Sequence, residues 1–345
     1  MTLVFSRNKF SLVTKIFIAF IISLKLSLIP NEVFKDRENY SMGLLYSDER
    51  YLELFDINWL SVMFQEPFFK FGNYVLVDFF HLEYDAILSF YAFINCFFVI
   101  LFVLKTQDKI LYSLFALLLI MITPYFFSAT LGALRQGLGF NFILISLMRK
   151  DGIKSNYFTF SLFVASLFHV IFFVFLFLVL SYRFVSKFIK SKRTLYFVLF
   201  VNVLIIGFGW KFVTPLLADK QQYDDFGQSN SGVTFLLWCV IFIPFLFNYF
   251  YFKSKKIIVN EGVYEFSLLM FFSFLVFYWL APGPYRILYS CMPILICSLF
   301  SNKSIYSNFA LAFCVMYSFI LLSIGAGSGS MNIEYIDFIR LVFFL

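Results

Sequence analysis

Long apolar runs separated by short polar linkers set the pattern of this chain. A helix needs about 17–25 mostly apolar residues to cross a bilayer core. Runs of this kind lie at Phe10–Ile29, Leu88–Leu104, Ile110–Phe127, Gln136–Met148, Tyr157–Tyr182, Thr194–Trp210, Val233–Phe252, Tyr264–Leu280, Ile287–Phe300 and Ile305–Ile324. Two of them, Gln136–Met148 and Ile287–Phe300, are short and are expected to extend into their flanks. The tail, Met331–Leu345, is too short and too charged for a span. Apolar residues fill whole blocks instead of one helical stripe, so the surrounding medium is lipid. The fold class that follows is all-α, a polytopic transmembrane helical bundle of about 10–12 membrane segments. No internal repeat or separable soluble domain is visible, so 1–345 reads as a single transmembrane domain.

Composition agrees. Hydrophobic residues make up 61% of the 345 and charged residues 14%, against about a quarter charged in a soluble domain. The net charge of +7 sits in short clusters between apolar blocks. That is where orientation determinants lie, so nucleic acid is not an expected partner. The cysteines, Cys96, Cys239, Cys291, Cys297 and Cys314, each lie in an apolar stretch without a Cys-x-x-Cys pair. They read as packing residues, and no metal site is expected. The first run follows Arg7 and Lys9 and lacks a small-residue cleavage site, which suits an uncleaved signal anchor.

Basic residues orient the chain. Arg7 and Lys9 place the N-terminus in the cytoplasm, so the loop 30–87 faces outward. That loop holds eleven acids against four bases, Lys35, Arg37, Arg50 and Lys70. Lys105 and Lys109 then fall inside, Arg135 outside, and Arg149, Lys150 and Lys154 inside.

The segment Tyr157–Tyr182, 26 residues with His169 near its middle, decides the remainder. If it crosses once, ten Lys/Arg lie inside and fourteen outside; if it enters and returns, sixteen lie inside and eight outside. (Both sums omit Lys15, Lys25 and Arg340.) A short helical hairpin at 157–182 is therefore expected, with arms of about 18 Å and His169 at the turn. A long tilted single helix is the alternative. The hairpin also puts a second loop, 211–232, and Arg286 on the outer side.

Candidate chemistry gathers on that outer side. Arg135 lies in an expected loop, Ser128–Gln136, and Arg286 follows Pro282-Gly283-Pro284-Tyr285. Arginine is costly within a membrane, at least about 2.5–3.5 kcal/mol at its centre. Both guanidiniums suit phosphate oxygens by fork geometry, with snorkelling or carboxylate pairing as the plainer role. His169 suits a general base or a hydrogen-bond donor, and equally a packed core residue. In the first loop, Asp48 and Glu66 are carboxylates that could orient or deprotonate a sugar hydroxyl. Tyr51, Trp59 and Phe68 could stack on sugar faces. For most of the acids a solvated surface with an interfacial helix through Tyr74–Phe80 is the simpler expectation, and His81 gets no role. Phosphate-binding glycine loops, nucleotide motifs, zinc spacings and an Asp-x-Asp motif are missing.

Taken in order, Asp48…Tyr51, Glu66-Pro67-Phe68, Leu134-Arg135-Gln136-Gly137-Leu138, Ala165-Ser166-Leu167-Phe168-His169 and Tyr285-Arg286-Ile287-Leu288-Tyr289 resemble the EpsG family of Wzy-type polysaccharide polymerases. The resemblance covers most of the chain, and its most specific part is the Arg-Gln element followed by Ala-x-x-x-His. The chain departs where the family often has a small or hydroxyl residue after the His; here Val170-Ile171-Phe172 follows.

The resemblance implies a bacterial inner-membrane enzyme working on the outer face. It would join undecaprenyl-pyrophosphate-linked oligosaccharide units into capsule, exopolysaccharide or O-antigen. It further implies pyrophosphate binding by Arg135 and Arg286, a base among His169, Glu66 and Asp48, and sugar contacts at Tyr51, Gln136 and Tyr285. No cofactor is implied; membrane lipid and a chain-length regulator protein are the further partners. The alternatives are a lipid-linked glycan ligase or monosaccharide transferase, and a lipid-linked oligosaccharide flippase. Transporters tend to show internal repeats, and none is visible.

Overall fold

The computed structural model describes residues 11–107, 109–149, 152–189, 192–217, 232–280, 285–323 and 331–344. It is all-α, and among the described residues the only β feature is an isolated bridge between Phe34 and Met331. The apolar runs become helices in the order expected. The first is α1 (Leu12–Ser27), opened by Ser11, whose hydroxyl accepts from the Thr14 amide at 3.0 Å. The expected cytoplasmic N-terminus lies outside the described residues.

The acidic first loop is a folded cap, and nine of its eleven acids are exposed on it, as expected of a solvated surface. It contains α2 (Lys35–Leu45), α3 (Ser47–Leu52), α4 (Trp59–Phe64) and α5 (Pro67–Tyr74). The helix expected through Tyr74–Phe80 is formed by the end of α5 continued by a π-helical turn, Val75–Phe79. Arg37 of α2 is completely buried. Its Nε donates to the Leu131 carbonyl at 2.9 Å, and its Nη1 donates to Asn31 Oδ1. Burial lowers its pKa to about 10, so it keeps its proton at neutral pH.

Next come α6 (Tyr84–Thr106), α7 (Ile110–Ile122), α8 (Pro124–Phe127) and α9 (Leu134–Leu147). Pro124 cannot continue the ladder of α7, and the chain bends there by 80°. Ser128–Gly132 forms a second π turn between α8 and α9. Arg135, expected in a loop, therefore stands in the first turn of α9. The reason is that this polar stretch finds buried backbone partners. Asn95 of α6 donates to the carbonyls of Thr130 (3.3 Å) and Leu134 (3.2 Å), on either side of the break at Ala133.

The run 157–182 is broken as expected. Helix α10 (Asn156–Phe168) ends at His169, whose backbone is extended (φ −154°, ψ 126°), and α11 (Ile171–Phe188) follows. The arms fold back on each other: Arg183 Nη1, near the end of α11, donates to Thr159 Oγ1, near the start of α10, at 2.6 Å. The second arm is longer than expected because it continues to Phe188.

The remaining helices are α12 (Lys192–Leu217), α13 (Gly232–Ser254), α14 (Glu261–Leu280), α15 (Tyr285–Ser301), α16 (Ile305–Ser323) and α17 (Tyr335–Phe344). The expected loop 211–232 is shorter than the sequence suggested, since α12 runs to Leu217; 218–231 lie outside the described residues. Among the described residues, α6, α11, α13 and α14 are each long and apolar enough to cross a membrane alone. The bent α7–α8 pair makes a fifth. Shorter apolar helices such as α10 and α15 pack among them. Exposed large apolar side chains on α1, including Val13 and Phe17, suit contact with lipid. The short tail helix α17 docks on the cap side, where Tyr335 donates to the Ile122 carbonyl left open by the bend (2.7 Å).

Candidate active site

Three breaks in the helical pattern converge, and each presents a side chain. Glu66 precedes Pro67, which closes the right-handed helical region to it. It sits left-handed (φ 54°, ψ 51°) at the start of α5, an unfavourable conformation for a residue with a Cβ. Arg135 follows the π turn and the break at Ala133. His169 occupies the hairpin tip.

The side chains meet. Arg135 Nη1 donates to Glu66 Oε2 in an ion pair. The other Glu66 oxygen, Oε1, stands 4.0 Å from His169 Nε2. Arg286 comes to the same place through its backbone, its carbonyl accepting from Nε2 of Gln136, the residue after Arg135. The Arg135 guanidinium lies over the rings of Tyr40 (5.5 Å) and Phe69 (5.9 Å), and its Nε is buried without a hydrogen-bond partner. Burial raises the Tyr40 phenol above its ordinary value, while the Arg135 charge pulls it down.

His169 has a defined tautomer. Its Nδ1 accepts the Ile171 amide at 3.3 Å, capping the open end of α11. The proton of the neutral ring is therefore on Nε2, facing Glu66.

Gln136, expected as a sugar contact, is held within the protein by its amide nitrogen, while its Oε1 is buried without a hydrogen-bond partner. It is 1% exposed, and its Nε2 donates to the Arg286 carbonyl and to Ser290 Oγ at 2.9 Å. Both amide hydrogens are thus used to fasten the start of α9 to the start of α15. Gly139 allows the matching contact on the other side. A Cβ there would come within 2.7 Å of the Ala165 carbonyl and 2.9 Å of the Phe172 ring. Helix α9 thereby touches the hairpin just beside His169.

Other expected residues lie elsewhere. Asp48 is exposed on α3, and Tyr51 stacks on Tyr74 (centroids 4.7 Å apart, 16° between planes). Among the described contacts neither reaches Arg135, His169 or Arg286. Tyr285 turns toward α14, its hydroxyl 3.2 Å from that of Tyr278. Trp59 is exposed, and Phe68 lies edge-on to Phe168 (5.7 Å). The motif Pro282-Gly283-Pro284 lies outside the described residues, but α15 starts at Tyr285, which puts Arg286 in its first turn. Among the described residues no group of three His, Cys, Asp or Glu side chains is placed to hold a metal ion.

Several contributing residues escape a sequence reading: Tyr40, Asn95, Asn141 and Ser290. Asn141 donates to Asn95 Oδ1 at 2.9 Å, so the two amides form one buried chain under the Ala133 break. The available signal was an Asn within an apolar run, since buried amides need partners.

The EpsG family model matches residues 7–336, nearly the whole chain. The chain belongs to the EpsG family. No curated protein and no solved structure matches it. Membership in the EpsG family, together with the long apolar helices, makes this a multi-pass membrane protein of polysaccharide biosynthesis of the Wzy type.

Proposed function

We propose that this EpsG-family protein polymerises undecaprenyl-pyrophosphate-linked oligosaccharide repeat units into a surface polysaccharide on the outer face of a bacterial inner membrane. The observation that carries the reading is the convergence of Arg135, Glu66 and His169 beneath the acidic cap, with the turn that bears Arg286 fastened to Gln136 beside them.

The chemistry follows from the leaving group. As the anomeric C–O bond to pyrophosphate breaks, negative charge develops on the phosphate oxygens. Guanidiniums placed beforehand stabilise that charge without reorganising. Arg135 and Arg286 take this role. The acceptor hydroxyl oxygen bonds to the anomeric carbon and its proton must leave. With His169 Nδ1 spent on the Ile171 amide, His169 serves as a donor from Nε2, and the Glu66 carboxylate is the base. Asp48, exposed on α3, drops out of that role.

The test is the polysaccharide made by cells carrying single variants. Arg135→Ala and Arg286→Ala should remove long polymer, leaving single repeat units, while membrane levels of the protein stay normal. Unchanged chain lengths in both variants would sink the reading. A ligase or monosaccharide transferase with the same site would instead give one product of fixed size, and a flippase would leave repeat units on the cytoplasmic leaflet.

A further inference from the structure

We infer that Glu66 holds, on Arg135, the position that the donor's diphosphate takes, and so makes the site selective for lipid diphosphates over lipid monophosphates. The inference rests on the reading of the site as one for polyprenyl-pyrophosphate donors.

Three observations carry it. First, Arg135 already grips an anion of the protein's own, the Glu66 carboxylate, while its Nε–H stays buried without a partner. The guanidinium is thus only partly matched by a single carboxylate. A diphosphate brings more charge and more oxygens in a fork-compatible array. Second, the released carboxylate has somewhere to go. Oε1 is 4.0 Å from His169 Nε2, too far for a hydrogen bond and near enough for a side-chain rotation to close. Third, the Glu66 backbone is fixed by Pro67 and by the first turn of α5, where the Glu66 carbonyl accepts from Phe69 (3.0 Å) and Lys70 (3.2 Å). The exchange is therefore a movement of the carboxylate alone.

Charge explains the selectivity. Entry of an anion at Arg135 requires breaking the ion pair with Glu66. A monophosphate gains little over the carboxylate it replaces, whereas a diphosphate can extend toward Arg286, whose backbone carbonyl is held by the neighbouring Gln136, and so offsets the cost. Once displaced, Glu66 lies beside His169, where an acceptor hydroxyl can reach it. The exchange changes no covalent bond; it couples donor binding to exposure of the base.

The experiment measures binding of undecaprenyl pyrophosphate and undecaprenyl phosphate to the full-length protein in nanodiscs. The wild type should prefer the diphosphate. Glu66→Gln, which keeps the shape and removes the charge, should bind the monophosphate roughly tenfold tighter, or about 1.4 kcal/mol, and narrow the preference, while long polymer is lost in cells. Glu66→Asp keeps the charge but retracts the carboxylate by one methylene. It should fall between the two and serves if Glu66→Gln does not fold. Monophosphate binding that is unchanged or weaker in these variants overturns the exchange and leaves the polymerase reading standing. Failure of the wild type to bind either lipid overturns both.

Discussion

Gln136 carries a lesson about side chains beside a motif. Next to Arg135 it reads as a ligand, yet both of its amide hydrogens are committed within the protein, to the Arg286 carbonyl and Ser290 Oγ. Its work is to fix the distance between the helix starts that bear the two arginines. Gln136→Ala should leave two buried acceptors without a donor, at a cost of about 1–3 kcal/mol. It should also shorten polymer chains. Ser290→Ala, which removes one partner only, should be milder. Thermal unfolding of the purified protein and gel analysis of the polysaccharide test this, and a Gln136→Ala protein of wild-type stability and product length would contradict it. Arg135 and Arg286 stand out in the sequence as charges at the edges of apolar runs and His169 as a titratable group within one, whereas Glu66 stands out only in its Glu-Pro-Phe motif and meets Arg135 through the fold. The partners of Gln136, Tyr51 and Tyr285 were not legible there. Which way such a side chain turns depends on helices distant in sequence, and Tyr51 meets Tyr74 only because α3 folds against α5.

The hairpin shows what charge arithmetic can reach. The run 157–182 is apolar apart from His169 and a few hydroxyl side chains, so hydropathy alone gives one long helix. Only the placement of Arg183–Arg193 and the later linkers argued for a return. The contact between Arg183 and Thr159 fulfils that expectation. In one straight helix these residues would stand about 36 Å apart at 1.5 Å per residue. A Thr159→Cys/Arg183→Cys protein should therefore crosslink with a short bifunctional thiol reagent; no crosslink under conditions that label each single cysteine would refute the fold-back. Gly139 supplies the complementary test on α9. Gly139→Ala forces a Cβ against the Ala165 carbonyl and the Phe172 ring, an overpacking cost of roughly 1–3 kcal/mol. It should push α9 away from the hairpin tip and widen the spacing of Arg135 and His169. The expected result is strongly reduced polymer with protein still in the membrane, and full activity would show that this close approach is dispensable. The cap was less legible. Its acids lie mostly on the surface as expected, whereas Arg37 and Tyr40 are drawn inward because the π turn at Ser128–Gly132 and Arg135 offer them partners.

Contacts between helix ends sort the molecule into two faces without reference to a membrane. On one, Gln107 at the end of α6 donates to the Cys297 carbonyl near the end of α15, and Asn260 before α14 donates to the Thr106 carbonyl. There too Asn248 of α13 donates to the Asn302 carbonyl beyond α15, and Lys303 lies over Tyr112 at 3.3 Å. On the other, Asn31 donates to Asp85 at the start of α6, and Asn332 pairs through its amide with the Val33 carbonyl. That second face also holds Arg135, His169 and Arg286. The first face collects Lys105, Lys109, Lys253, Lys255, Lys256 and Lys303, and the second collects the acids of 30–87. This separation requires an even number of passes between Lys154 and Arg183, which the hairpin supplies. The positive-inside rule then predicts the lysine face in the cytoplasm and the site outside, where the proposed polymerase would meet its lipid-linked substrate. Cysteines placed singly at Lys255 and Lys303 should react with a membrane-impermeant maleimide only after the cells are opened. Cysteines at Glu53 and Asn332 should react in intact cells whose outer barrier has been made permeable. The opposite pattern would turn Arg135, Arg286 and Glu66 toward the cell interior, and the proposed transfer between outward-facing lipid-linked glycans would then have no site.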